Sequence, residues 1–127
     1  MSSKVLDASA LLALLNSEPG SEVVAAMLPE AIMSSVNFSE VVAKLADEGR
    51  PELEIRSYLD ALGLLIVEFD TELAYRAGLL RPLTRATGLS LGDRACLALA
   101  ESMNVPVVTS DRAWVGLSLS VQVELIR

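Results

Sequence analysis

Short aliphatic runs, separated by longer stretches with helical spacing, constrain this chain more than any other feature. Such alternation belongs to βαβ units, in which parallel strands are joined by helices crossing back over a sheet. Residues 4–6, 31–34, 64–69, 105–109 and 121–126 read as strands, the last at an edge. Helices are predicted over 10–15 and 21–28. Val41, Val42, Leu45 and Ala46 show helical spacing up to an end signal at Gly49. Pro51 opens another helix, with Ile55, Tyr58, Leu59 and Leu62 on one face. Asp70 is read as the cap of a helix carrying Leu73, Ala74, Ala77 and Leu80, broken near Pro82. Residues 81–88 read as irregular and 91–103 as a buried helix. The pattern predicts an α/β fold with a mainly parallel sheet and one domain over residues 1–127.

Composition narrows the function. The chain has 127 residues, of which 52% are hydrophobic, enough for a real core. No apolar run approaches the ~20 residues that span a bilayer, so a soluble, cytoplasmic protein without membrane contact is expected. The single cysteine, Cys96, excludes an internal disulfide and sits in an apolar helical pattern that marks a core residue. There is no histidine. That excludes Ser–His and Cys–His catalysis, histidine zinc sites and a histidine general base. Catalysis, if present, falls to carboxylates.

Most of the 17 acidic residues suit solvated helix faces. Asp7, Glu40, Asp93 and Asp111 are placed differently. Asp7 and Asp111 end aliphatic strands, in Val5-Leu6-Asp7 and Val107-Val108-Thr109-Ser110-Asp111. Glu40 and Asp93 are expected in the first turns of helices. In an open parallel sheet the carboxyl ends of strands share one edge with the starts of the following helices, and ligands bind there. Capping is the simpler account of each acid alone: Asn37-x-x-Glu40 and Ser90-x-x-Asp93 fit capping boxes, and Asp7 and Asp111 suit helix N-caps. Capping does not explain why a central aliphatic strand should end in Asp. Converging carboxylates repel one another unless a cation intervenes. All-oxygen ligation selects Mg²⁺ or Mn²⁺ over zinc, and such an ion lowers the pKa of water and stabilises charge on an attacked phosphorus.

These segments resemble the PIN-domain nucleases, and among them the VapC-type toxins of prokaryotic toxin–antitoxin pairs. The matching pieces are Val5-Leu6-Asp7-Ala8-Ser9-Ala10-Leu11, Ser35-Val36-Asn37-Phe38-Ser39-Glu40-Val41, Leu91-Gly92-Asp93-Arg94-Ala95-Cys96-Leu97-Ala98-Leu99-Ala100 and Val107-Val108-Thr109-Ser110-Asp111. The resemblance implies a three-layer α/β/α sandwich and Mg²⁺- or Mn²⁺-dependent cleavage of RNA. It makes Asp7, Glu40, Asp93 and Asp111 the metal-binding acids and places Ser9 and Thr109 beside them. It also implies a homodimer and a cognate VapB-type antitoxin that occludes the acidic pocket. Many relatives carry another acid soon after the fourth; here Asp111 is followed by Arg112-Ala113-Trp114, with no acid until Glu124, so a second ion lacks that ligand.

The net charge of −7 opposes indiscriminate nucleic-acid binding. Bound cations would offset part of it. Arg94 and Arg112, each adjoining a proposed ligand, are candidate phosphate contacts, and Trp114 is a candidate for base stacking or for packing. Two other classes compete. A receiver-like signalling domain also carries acids at strand ends, but wants paired acids after the first strand and a late lysine, whereas Asp7 stands alone and no lysine follows Lys44. A non-catalytic binding module with well-capped helices is the third reading.

Overall fold

The computed structural model describes residues 3–127. Its strands are β1 (Lys4–Leu6), β2 (Ala31–Ser34), β3 (Leu65–Val67), β4 (Val107–Thr109) and β5 (Val123–Leu125). Its helices are α1 (Ala8–Leu15), α2 (Ser21–Met27), α3 (Ser35–Asp47), α4 (Glu52–Asp60), α5 (Thr71–Leu79), α6 (Arg81–Thr84) and α7 (Leu91–Met103). Two 3-10 turns, Leu28–Glu30 and Arg112–Gly116, complete it.

The strands form one five-stranded sheet in the order β3-β2-β1-β4-β5, and every pairing is parallel. Side chains alternate across it, as a pleated strand requires. Leu6, Met33 and Val108 enter one core with α1, α2, α3 and α4. Val5, Ile32 and Val107 enter the other with α5 and α7. This is a three-layer α/β/α sandwich. Burial on both faces explains why β1 and β4 carry aliphatic residues at successive positions, Val5-Leu6 and Val107-Val108. The order also separates this chain from receiver domains, whose doubly wound sheet runs 2-1-3-4-5. Here the chain winds outward through β2 and β3, then returns to β4 beside β1, which makes the β1–β4 seam the switch point.

Local signals account for most boundaries. Asp70 caps α5 by accepting from Leu73 N at 2.9 Å. Gly49, with φ of +85°, follows the end of α3 in a conformation that only glycine adopts freely. Strand β5 lies at an edge, as expected. Residues 81–88, expected to be irregular, begin with α6; Pro82 sits in its first turn, where a missing N–H costs nothing. The Thr84 hydroxyl donates to the Leu80 carbonyl at 2.9 Å in the same turn.

Helix α3 departs from expectation in a way that matters for the site. Strand β2 runs directly into it, and Ser34 is the cap, its Oγ accepting from Val36 N at 3.2 Å. Asn37 therefore lies inside the helix, Glu40 lies in the second turn rather than the first, and the two do not form a capping box.

Candidate active site

Asp7 follows β1 directly at the switch point and is only 5% exposed. Its Oδ1 accepts from Ala10 N at 2.9 Å, capping α1, and from the Ser9 hydroxyl at 2.7 Å. Its Oδ2 accepts from the Thr109 hydroxyl at 2.6 Å, across the β1–β4 seam. Both hydroxyl oxygens in turn accept from the loop after β4: Ser110 N donates to Ser9 Oγ and Asp111 N to Thr109 Oγ1, each at 3.0 Å. Two relays, each peptide N–H to hydroxyl to carboxylate, thus converge on one buried acid, and each bond polarises the next. Ser9 and Thr109 lie 3.4 Å apart, but each has given its proton to Asp7.

Burial pushes the Asp7 carboxyl above its ordinary 3.8; the bonds from Thr109, Ser9 and Ala10 draw it partly back, and the charge of Asp93 raises it further. Asp93 opens α7 in a true capping box with Ser90: Asp93 N donates to Ser90 Oγ at 3.1 Å and Ser90 N to Asp93 Oδ2 at 3.0 Å. One turn on, Cys96 is wholly buried, a core residue as its pattern implied. Burial drives its thiol well above the ordinary value, and the charges of Asp7, Asp93 and Glu40 add to the effect. The Glu40 carboxylate lies against the first turn of α7, beside Gly92.

Glu40 is exposed, but its carboxylate is held. Asn37 Nδ2 donates to Glu40 Oε1 and to the Gly92 carbonyl, both at 3.0 Å. Asp111 caps the Arg112–Gly116 turn by accepting from Ala113 N at 2.9 Å, and joins Asp7 through its own N–H and Thr109. Capping and clustering are therefore not alternatives here. Asp7 and Asp111 each cap with one oxygen at the carboxyl ends of β1 and β4, and Asp93 completes the capping box that opens α7.

Among the described residues no ion pair involves any of these four acids; every lysine or arginine bridge goes to another carboxylate. Nor do any three of the described acids form a set that encloses an ion by itself. Hard oxygen donors without protein cations suit Mg²⁺ or Mn²⁺. Mg²⁺ in particular keeps several waters and needs only one or two direct carboxylates, the others bonding to its waters.

The basic candidates divide. Arg94 turns away from the acids: its Nη1 donates to the Ala77 carbonyl at 3.0 Å, at the end of α5, where a cation is favoured by the helix dipole. Arg112 is exposed and makes no ion pair among the described residues. Trp114 is 0% exposed within the core on the α7 side, which removes it from base stacking. Asn37, 1% exposed, is the site residue that sequence reading assigned only to a cap. Among the described residues no helix is long and apolar enough to cross a membrane.

A parallel sandwich with Asp7 and Asp111 joined through Thr109 at its switch point falls in the α/β class whose ligands bind at the strands' carboxyl edge. The PIN domain family profile matches residues 4–117, and the chain belongs to that family. Solved structures share the fold at low identity. DNA-bound VapBC from Salmonella typhimurium matches with a TM-score of 0.78 at 19% identity, covering 100% of both chains. A toxin–antitoxin complex from Klebsiella pneumoniae gives 0.76 at 20% identity, covering 98% of each. FitAcB from Neisseria gonorrhoeae gives 0.70 at 22% identity, covering 94% of this chain and 95% of that one. No curated protein matches.

Proposed function

We propose that this chain is a VapC-type toxin: a cytoplasmic, metal-dependent endoribonuclease held in check by a VapB-type antitoxin. The observation that carries the reading is Asp7, a buried carboxylate with two hydrogen-bond relays aimed at it, a second acid beside it and no protein cation to neutralise them. Membership of the PIN family and the likeness to chains from VapBC complexes support it.

Asp7, Glu40, Asp93 and Asp111 would hold Mg²⁺ or Mn²⁺, directly or through its waters. The bound ion supplies an acidified water and takes up charge developing on the scissile phosphate. Ser9 and Thr109 orient Asp7 and favour its ionised form, and Arg112 is a side chain available to a phosphate. Water attack predicts a 5′-phosphate and a 3′-hydroxyl. A homodimer is supported by Tyr75, Leu79 and Leu83, exposed at every fourth position along α5 and α6.

Purified protein incubated with structured RNA in Mg²⁺, in Mn²⁺ and in chelator tests the reading. Cleavage should need the metal, leave 5′-phosphate ends and vanish in Asp7→Asn. Products ending in a 2′,3′-cyclic phosphate, or cleavage that survives chelation, would refute it.

A further inference from the structure

Two features on opposite helices meet at the Glu40 carboxylate. On α3, the Asn37 amide gives both of its N–H groups away, to Glu40 Oε1 and to the Gly92 carbonyl. Both partners only accept, so the orientation of the amide is unambiguous. Its Oδ1 is left buried without a partner, a cost that a residue serving only to stabilise the fold would not carry. On α7, Gly92 leaves open the space that the Glu40 head occupies. A Cβ at that position would lie 2.6 Å from Glu40 Oε1 and closer still to Oε2. Only the tip of a flexible side chain stands in its way, so an added methyl displaces the carboxylate and spares the backbone.

We infer that Asn37 and Gly92 are positioning residues, which together seat the exposed Glu40 carboxylate against the first turn of α7, beside Asp93, so that it contributes to cation binding. This rests on the metal-dependent reading above. Asn37 supplies the bond that fixes the carboxylate, and Gly92 supplies the room. The sharpest consequence lies at Gly92. Alanine is the better helix former, which offsets the lost Asn37–Glu40 bond, so Gly92→Ala should melt close to wild type in chelator while binding metal more weakly. A purely structural glycine would not part stability from affinity in that direction.

Mn²⁺ alone is the probe, titrated into the metal-free chain by calorimetry and by loss of the free-ion electron spin resonance signal. Asn37→Ala and Gly92→Ala should each weaken Mn²⁺ binding roughly 10–100-fold, the range for groups that orient a ligand. Placed in a Glu40→Gln background, neither should weaken it further, because both act through the same carboxylate. Wild-type affinity in Gly92→Ala, or an undiminished effect of Asn37→Ala in Glu40→Gln, would overturn the inference while leaving the metal reading intact. A wild-type chain that takes up no Mn²⁺ would overturn both.

Discussion

Thr109 donates its hydroxyl to Asp7 at 2.6 Å, joining the ends of two adjacent parallel strands whose residues are 102 positions apart. The same oxygen accepts from Asp111 N, so one threonine links two of the four candidate acids. Its removal should therefore be felt in chemistry as well as in stability.

Thr109→Val keeps the shape and deletes the relay. Losing a bond to the charged form raises the Asp7 pKa further. RNA cleavage should fall roughly 10–100-fold, with the acid limb of the pH–rate profile displaced to higher pH. A profile that drops in height without moving would remove Thr109 from the ionisation of Asp7.

Asp7 also predicts how stability varies with pH in chelator. Its folded pKa is raised, so between the ordinary value of 3.8 and the folded one the native state holds more protons. Stability should therefore decline as pH rises through that window. Urea titrations in chelator at a series of pH values should show Asp7→Asn flattening this decline. An identical slope in the variant would contradict the placement of Asp7 as a buried acid.

Capping and catalysis separate at Asp93. Ser90 is the cap of α7 and Asp93 returns the bond, so Asp93→Asn keeps an oxygen for Ser90 N and should melt close to wild type in chelator, whereas Asp93→Ala loses that hydrogen bond and about 0.5–1.5 kcal/mol. Both should lose more than ~100-fold in RNA cleavage, beyond the effect of a merely orienting partner. Full activity in Asp93→Asn would leave the residue a partner of the Ser90 cap and nothing more.

The two arginines predict opposite phenotypes. Arg112→Ala should weaken RNA binding and reduce the salt slope by about 0.7, the value for one phosphate contact on a single strand, with no change in melting. Arg94→Ala loses the bond to the Ala77 carbonyl and should lower the melting temperature with the salt slope intact. Filter binding across a salt series, beside thermal melts, distinguishes them; a reversed pattern would reassign both.

Much of this molecule was legible from local physics. Helix α7 spans Leu91–Met103, the range its apolar pattern predicts, and the cap at Asp70 and the stop at Gly49 follow from residue chemistry acting within a turn. Aliphatic strands ending in Asp7 and in Thr109-Ser110-Asp111 marked the edge where Asp7 and Asp111 meet through Thr109, because strand direction in a parallel sheet carries every carboxyl end to one side. Other relationships had no such signal. Whether Ser34 or Asn37 caps α3 depends on how far β2 runs before the chain turns, and this decides which turn holds Glu40. The turning of Arg94 toward Ala77 depends on how α5 packs against α7. The bond from Asn37 to Gly92 spans 55 positions and exists only because α3 and α7 approach closely enough for one amide to reach both. Periodicity and capping act between near neighbours and are written in the order of residues. The distance between two packed helices is set by every side chain between them, and that only the folded chain decides.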